Sequence, residues 1–395
     1  MEHSDLTIVI PTHLDGVGRL LALLPHWDSM KLKLLIIDSS PESNRECFAK
    51  YSYAHLIVDY IHLPVLDSGI RRNYCLRLLL AASSITTPFV GLCGDDDVYT
   101  KSGIEEALKI LRAGAHLDVI VGKTAMVSAG QTRGSISWRL HHTEPIWKDY
   151  GFRRSTQLRD RLHVEEGIGY YSIGRSDFFT RLWSFVFSQQ DLHPYWFEYQ
   201  IKWLTELGAN IKVLPHLLWI RSPERPVSEP QGQRELMNRC SVEPMLKGSL
   251  VERFSEGLAS LRAENPISEC ARISSELIET QIDRAKVQHA QSFTLERRVA
   301  DYIYTQILNR RVFVKIGVWR FADWLLRRCG FAGPGLPRVR SSIVGTFVRE
   351  IRKIGVFANA AELELISRIY SRLPRQGLIP PSPVSTQHRS PEVSS

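Results

Sequence analysis

The stretch Phe89-Val-Gly-Leu-Cys-Gly-Asp-Asp-Asp-Val98 decides how this chain folds. Its first half has the apolar pattern of a short buried strand, and its second half holds an acidic triplet, Asp95, Asp96 and Asp97. Three adjacent carboxylates repel one another, and a hard divalent cation such as Mg²⁺ or Mn²⁺ favours placing them at the end of a buried strand. The alternative is a solvated acidic turn that precedes the next helix.

Around this stretch, strand patterns alternate with helix patterns over residues 1–125. We predict strands over residues 7–10, 34–37, 56–58, 89–92 and 119–121. The first predicted helix buries four residues on one face, Val17, Leu20, Leu21 and Leu24. The second covers residues 69–82 and packs through Leu76, Leu79 and Leu80. The third opens with the capping box Ser102-Gly-Ile-Glu105, buries Ile104, Ala107, Leu108 and Leu111, and ends near Gly114.

Alternating β and α units of this length predict an α/β fold with a mainly parallel, doubly wound sheet and helices on both faces. Ligands of such sheets bind at the carboxyl ends of the strands. Asp38 directly follows the strand over residues 34–37, and the acidic triplet follows the strand over residues 89–92. The sequence therefore predicts a binding site where these two strands end.

The composition is that of an ordinary globular protein, with 395 residues, 44% of them hydrophobic and 23% charged. No apolar run reaches the length of a membrane span, and no basic region precedes the first strand, so we expect a cytoplasmic protein without a signal peptide. The six cysteines have no metal-binding spacing and are expected to be reduced thiols.

The net charge of +8 is concentrated near the end of the chain, where residues 311–377 contain thirteen Lys and Arg against four Asp and Glu. We expect an α/β domain over residues 1–230, an accessory helical region over 231–373 and a disordered tail over 374–395. The basic, aromatic-containing segment 311–357 is suited to peripheral contact with the inner membrane face. No nucleic-acid-binding motif accompanies the charge, so we expect no nucleic-acid partner.

Residues 5 to about 221 resemble the family 2 glycosyltransferases of the GT-A fold, which transfer sugars from nucleotide-diphosphate donors. The resemblance rests on five motifs in the family's order: Ile8-Val-Ile-Pro-Thr12, Ile36-Ile-Asp-Ser-Ser40, Gly69-Ile-Arg-Arg-Asn73, the D-x-D-type acidic triplet, and a late helix, turn and strand from Phe197 to Pro215. Two motifs depart from the family pattern. The aspartate pair expected after strand two is Asp38-Ser39, and the late Glu-Asp pair is Phe197-Glu198.

The resemblance implies a role for each matched residue. Asp97, together with Asp95 or Asp96, holds the metal; the triplet allows two registers, so Asp95 and Asp96 are candidates for both metal and ribose. The nucleotide is framed by Pro11, Thr12, His13, Asp38 and Arg72. Glu198 is the implied catalytic base, with Asp191 and Glu206 as nearby competitors.

The implied reaction is transfer of a hexosyl or related group, with inversion, to a hydroxyl of a glycan or lipid-linked acceptor, in a setting such as surface polysaccharide synthesis. The implied cofactor is Mg²⁺ or Mn²⁺, and a UDP-sugar is the favoured donor. The residues also leave structural roles open. Asp38 would then cap the next segment, Arg72 would be a solvated helix arginine, and Glu198 would pair with Lys202.

Two other function classes remain open from the sequence. The first is a nicotinamide-dependent oxidoreductase, because Gly16-Val-Gly18 follows strand one and Asp38 lies twenty residues beyond Gly18. The position of the third glycine is Leu21, however, and five residues separate the strand from the first glycine. The second is a non-catalytic protein that binds membrane surfaces through its basic C-terminal part.

Overall fold

The structure is a computed structural model that describes residues 3–64, 70–129, 136–140, 171–188, 196–222, 229–262, 266–292, 340–353 and 355–372. Within these ranges, ten strands form one mixed sheet. The strands are β1 His3–Thr12, β2 Leu32–Asp38, β3 Ile57–His62, β4 Phe89–Leu92, β5 Val98–Tyr99, β6 Val119–Ala129, β7 Ile136–Leu140, β8 Ile173–Arg175, β9 Ile211–Arg221 and β10 Arg340–Ser341.

The sheet has the order β10-β7-β6-β8-β4-β1-β2-β3, and β9 pairs with both β6 and β5. Its longest ladders are parallel: β1 with β2, β2 with β3, and β6 with β9. Strand β8 is inserted antiparallel between β4 and β6. The predicted α/β class with a mixed, mainly parallel sheet is therefore confirmed.

Eleven helices are described around this sheet. They are α1 Asp15–Asp28, α2 Arg45–Ala49, α3 Ile70–Ser84, α4 Lys101–Ala113, α5 Ser176–Ser188, α6 Trp196–Gly208, α7 Glu229–Val242, α8 Pro244–Leu261, α9 Ile267–Ser292, α10 Val344–Lys353 and α11 Ala360–Arg372. Helices α1, α4, α10 and α11 cover one face of the sheet, and helices α3 and α5 to α9 cover the other. Strand residues alternate between these two cores; Ile8 faces the first and Val9 the second. Burial on both faces explains the nearly continuous apolar runs in the sequence.

Two local predictions are wrong. Helix α3 buries Leu78, Ala81 and Ala82, whereas the predicted contact residue Leu76 is 43% exposed and Leu79 and Leu80 are only half-buried. Leucines occupy several faces of this helix, so spacing alone could not identify the buried face.

The second error concerns the start of α4. The helix begins at Lys101 and is capped by Thr100, whose Oγ1 accepts a hydrogen bond from the amide of Gly103 at 3.1 Å. A hydroxyl two residues earlier than the predicted capping box therefore takes the cap position. The inward residues of α4 and its end at Gly114 are as predicted.

The C-terminal helices pack on the same sheet as the N-terminal ones. Helices α7 to α9 share a core with α5 and α6, while α10 and α11 share one with α1 and α4. Both cores therefore contain residues from either side of residue 230, and the predicted domain division stays a prediction. The apolar residues of α10 face the core and are buried: Val344, Phe347, Val348 and Ile351.

Two features predicted for the C-terminal third fall largely or wholly outside the described residues. These are the membrane-contact segment over residues 311–357, of which residues 340–353 and 355–357 are described, and the tail over residues 374–395. Across the described ranges, no helix is both long and apolar enough to cross a membrane.

Candidate functional site

The carboxyl ends of β1, β2 and β4 meet at one edge of the sheet, and hydrogen bonds join them there. The carbonyl of Thr12, the last residue of β1, accepts from the amide of Ser39 at 3.0 Å. The hydroxyl of Thr12 donates to Oδ2 of Asp95 at 3.0 Å. All three residues are buried. The structure thus brings Thr12 at the end of β1, the turn after Asp38 and the acidic triplet together, as the strand pattern predicts.

Gly16, in the first turn of α1, lies directly against Asp95. A Cβ atom at Gly16 would lie only 1.6 Å from Oδ2 of Asp95, so no side chain fits here unless the carboxylate moves. Amide groups at a helix N-terminus carry a partial positive charge that stabilises a nearby carboxylate. The glycine that resembled a dinucleotide fingerprint therefore makes room for a protein carboxylate.

Asp97 is buried at the start of β5, where Oδ1 accepts a hydrogen bond from the amide of Ser222 at 2.8 Å. Among the described residues, Oδ2 of Asp97 has no hydrogen-bond partner. Burial and the adjacent charge of Asp96 raise the pKa of Asp97 well above its usual range, while the Ser222 hydrogen bond and the charge of Arg221 oppose this shift. Ser222, which sequence reasoning missed, directly follows Arg221, the last residue of β9, and β9 pairs with β5.

Asp96, the middle residue of the triplet, has a half-buried side chain. Its backbone carbonyl accepts a hydrogen bond from the hydroxyl of Tyr370 in α11 at 2.6 Å. No local sequence pattern predicts this contact, because 274 residues separate its two partners.

The donor set fits a divalent cation that also binds phosphate. Across the described ranges, no three His, Cys, Asp or Glu residues form a group that could hold a metal by themselves. A Mg²⁺ ion in a nucleotide site, however, takes only one or two protein carboxylates and completes its shell with phosphate and water. Oδ2 of Asp97 is available for this role, and the half-buried side chain of Asp96 lies next to it in sequence, whereas Asp95 already contacts Thr12 and Gly16.

The Asp38 carboxylate is enclosed by protein donors. Oδ1 accepts from the amide of Ser40 at 2.8 Å, and Oδ2 accepts from Asn44 at 2.9 Å and from the hydroxyl of Tyr60 at 2.6 Å. Burial by itself raises the pKa of Asp38, and these hydrogen bonds outweigh it, so the pKa lies below its usual value. The carboxylate orders the turn after β2, and its predicted contact with a nucleotide stays a prediction.

The loop after β1 carries His13 and a strained leucine. The Nδ1 atom of His13 donates to the carbonyl of Ser39 at 3.0 Å, which places this predicted residue at the same edge as Asp38. Leu14 has φ of 44° and ψ of −111°, and the amide of Gly16 closes a tight turn onto the carbonyl of His13 at 3.0 Å. A leucine rarely adopts such backbone angles, and strain of this kind is typical of binding loops.

Arg77 is a buried arginine that sequence reasoning missed. Its Nη1 atom donates to the carbonyl of Thr12 at 2.8 Å, so helix α3 supports the end of β1. The predicted Arg72 belongs to the same helix, but its side chain lies outside the described residues. The helix contains three arginines, Arg71, Arg72 and Arg77, so a burial argument would have been needed to identify Arg77.

Glu198, the predicted base, lies in α6, and its side chain is likewise outside the described residues. Of its two competitors, Glu206 is 6% exposed on the same helix, and Asp191 is not described.

The aromatic side chains of the later part of the chain lie in different surroundings. Trp196 and Trp203 are buried in the core, so these two side chains are not available to stack on a sugar ring. Tyr171 stacks on Trp219 with a centroid separation of 3.6 Å. The ring of His216 packs against Phe357.

No known protein-family model matches the chain, and no curated protein matches its sequence. Solved structures do resemble it. TarS 1–349 from S. aureus is 13% identical, covers 75% of this chain and 93% of its own, and gives a TM-score of 0.38. The same protein in complex with UDP-GlcNAc gives 0.39 at 13% identity, over 74% of this chain and 92% of its own. The mannosyltransferase PcManGT from Pyrobaculum calidifontis, in complex with GDP-Man and Mn²⁺, gives a TM-score of 0.41 at 11% identity. The match covers 79% of this chain and 82% of its own.

The chain thus has structural similarity to glycosyltransferases of the GT-A type over about three quarters of its length, at low sequence identity. Similarity at these TM-scores assigns neither a reaction nor a substrate to this chain.

Proposed function

We propose that this chain is a metal-dependent glycosyltransferase that moves a sugar from a nucleotide-diphosphate donor to an acceptor hydroxyl. The observation that carries the proposal is the position of the acidic triplet at the carboxyl edge of the sheet, where Oδ2 of Asp97 has no hydrogen-bond partner among the described residues. Nucleotides bind at this edge in α/β folds. A carboxylate with one anchored and one available oxygen suits a cation that bridges to phosphate.

Each site residue takes a distinct role in this proposal. Asp97, with Asp96 beside it, holds Mg²⁺ or Mn²⁺, and the bound ion would neutralise charge that develops on the diphosphate leaving group. Asp95 is fixed by Thr12 and Gly16, and it shapes the wall of the nucleotide site. The nucleotide is framed by Pro11, Thr12, His13, Asp38 and Arg72. This choice favours one of the two registers left open by the sequence.

The acceptor hydroxyl must lose a proton as it attacks, and we assign Glu198 as the base that takes it. Helix α6 presents its residues mostly to the core, with Tyr199 and Lys202 only half-buried, and the side chain of Glu198 itself lies outside the described residues. A single base without a second nucleophile corresponds to inversion at the anomeric carbon, and a glycan or lipid-linked hydroxyl is the acceptor class.

The oxidoreductase alternative is disfavoured by two observations at the loop after β1. The Asp95 carboxylate occupies the space beside Gly16 where a dinucleotide pyrophosphate would approach the helix, and two negative groups would repel each other there. A Cβ atom at Gly18 would meet nothing within 4 Å, so this glycine is not required for close packing. The membrane-binding alternative loses one candidate surface, because the apolar face of α10 is buried in the core.

The test is calorimetric titration of the full chain with UDP, GDP, UDP-GlcNAc, GDP-Man and NAD⁺, each with and without Mn²⁺. We expect metal-dependent binding of one nucleoside diphosphate and its sugar. Asp97→Asn should weaken this binding more than about tenfold, since even residues that only support metal ligands commonly contribute that much.

The matched control is Asp59→Asn, which removes an exposed carboxylate on β3 of the same sheet and should leave binding unchanged. Metal-independent binding of NAD⁺, or nucleotide binding that Asp97→Asn does not affect, would refute the proposal.

A further inference from the structure

Helix α11 is bonded to elements that carry the candidate site. The hydroxyl of Tyr370 donates to the carbonyl of Asp96 at 2.6 Å. One helical turn earlier, the hydroxyl of Ser367 accepts from the indole of Trp138 in β7 at 2.9 Å. At the start of the helix, the Glu362 carboxylate accepts from the amide of Lys101 and from the hydroxyl of Ser102 at 3.1 Å. The helix therefore spans from the first turn of α4 to the acidic triplet.

The hydrogen bond from Tyr370 restrains the acidic triplet from the side of α11. Two other hydrogen bonds hold the triplet: the Thr12 hydroxyl donates to Asp95 at 3.0 Å, and the Ser222 amide donates to Asp97 at 2.8 Å. Tyr370 contacts the residue between them, on the backbone, and its side chain is 7% exposed. A hydrogen bond to a backbone carbonyl restricts rotation of the peptide unit that follows it. That peptide unit joins Asp96 to Asp97, so Tyr370 acts on the direction of the Asp97 side chain.

We propose that Tyr370 is a positioning residue for the metal site and that α11 is a necessary part of this site. The proposal rests on the function proposed above, since it concerns the same carboxylates. Tyr370 does not touch the metal or the nucleotide in this proposal. Its hydroxyl fixes the backbone between Asp96 and Asp97, so that Oδ2 of Asp97 stays directed at the cation. Loss of the hydroxyl would lower metal affinity without removing any metal ligand.

The test compares Tyr370→Phe with Ser367→Ala in the full chain. Both variants remove one hydrogen bond between α11 and the rest of the protein, but only the first bond reaches the acidic triplet. Trp138 is fully buried, so Ser367→Ala leaves an indole N–H unpaired and is expected to destabilise the fold at least as much. Any general loosening of α11 will therefore appear in both variants.

The readouts are the dissociation constant of Mn²⁺ at saturating nucleotide, measured from the spin-resonance signal of free Mn²⁺, and hydrogen exchange of the amides around the triplet. We expect Tyr370→Phe to weaken Mn²⁺ binding about 2- to 10-fold, the range of one neutral hydrogen bond. It should also speed exchange near the triplet, and Ser367→Ala should do neither.

Two results would overturn the inference while leaving the proposed function intact. One is an unchanged Mn²⁺ affinity in Tyr370→Phe, and the other is an equal loss of affinity in both variants. If the unmodified chain binds no Mn²⁺ with any nucleotide, the proposed function fails, and the inference fails with it.

Discussion

Gly16→Ala tests the local geometry of the candidate site most directly. The new Cβ would lie 1.6 Å from Oδ2 of Asp95 and 2.9 Å from Oγ1 of Thr12, and neither separation is tolerated between non-bonded atoms. The Asp95 carboxylate is the far end of a short side chain, so it will rotate away from the helix. The substitution thus displaces a site carboxylate without changing any charged residue.

The expected effect on stability is the difference between two terms. Displacing Asp95 breaks its charge-assisted hydrogen bond from Thr12, which contributes about 1.5–3 kcal/mol. Alanine is favoured over glycine within a helix by up to about 1 kcal/mol. The variant should therefore be less stable by about 1–2 kcal/mol, and nucleotide binding should weaken along with it.

Gly18→Ala is the matched control, since it lies two residues further along α1 and its Cβ would meet nothing within 4 Å. It should raise stability by about 0.5–1 kcal/mol, through helix propensity and a less flexible unfolded chain. Urea unfolding gives both free energies, and titration with UDP and Mn²⁺ gives both affinities. If Gly16→Ala is as stable as Gly18→Ala and binds nucleotide equally well, the placement of Asp95 is wrong.

Two further predictions concern stability. Leu14→Gly should raise the free energy of unfolding by about 1 kcal/mol, because strain at φ of 44° costs about 1–3 kcal/mol and exceeds the entropy cost of glycine. Urea unfolding checks this prediction, and a less stable variant would contradict it. Burial lowers the pKa of His26 to about 4 in the folded chain, against about 6.5 in the unfolded chain. The stabilising contribution of the neutral, buried imidazole is therefore complete above pH 6.5 and is lost as the pH falls from about 6.5 to about 4. The loss between pH 7.5 and pH 4 should be about 3 kcal/mol, and His26→Gln should flatten the pH dependence of stability between these limits.

The sequence predicted the central part of the fold well, because that part is encoded by local patterns. The strand over residues 89–92 coincides with β4, and the helix after it buries the predicted residues. Parallel strands buried on both faces leave long apolar runs that are easy to recognise. Strands β5 and β10 were missed, since each has two residues and exists only through pairing with a distant strand.

The candidate site was predictable only in part, for a related reason. The position of a carboxylate at the end of a strand follows from the strand pattern, and the structure places Thr12, His13, Asp38 and the acidic triplet at one edge. The partner of each carboxylate does not follow from that pattern. Tyr60 on β3 bonds to Asp38, and Ser222 after β9 bonds to Asp97, across separations of 22 and 125 residues.

These partners also explain why the triplet can hold its shape before a ligand arrives. Asp95, Asp96 and Asp97 receive hydrogen bonds from Thr12, Tyr370 and the amide of Ser222, in that order, and each of these donors is uncharged. Neutral donors fix a carboxylate or its backbone without cancelling its negative charge. The repulsion within the triplet is therefore kept; together with burial, which is the larger cause, it raises the pKa of Asp97. A divalent cation that relieves this repulsion would find its ligands already in position, so little of its binding free energy would be spent on ordering them.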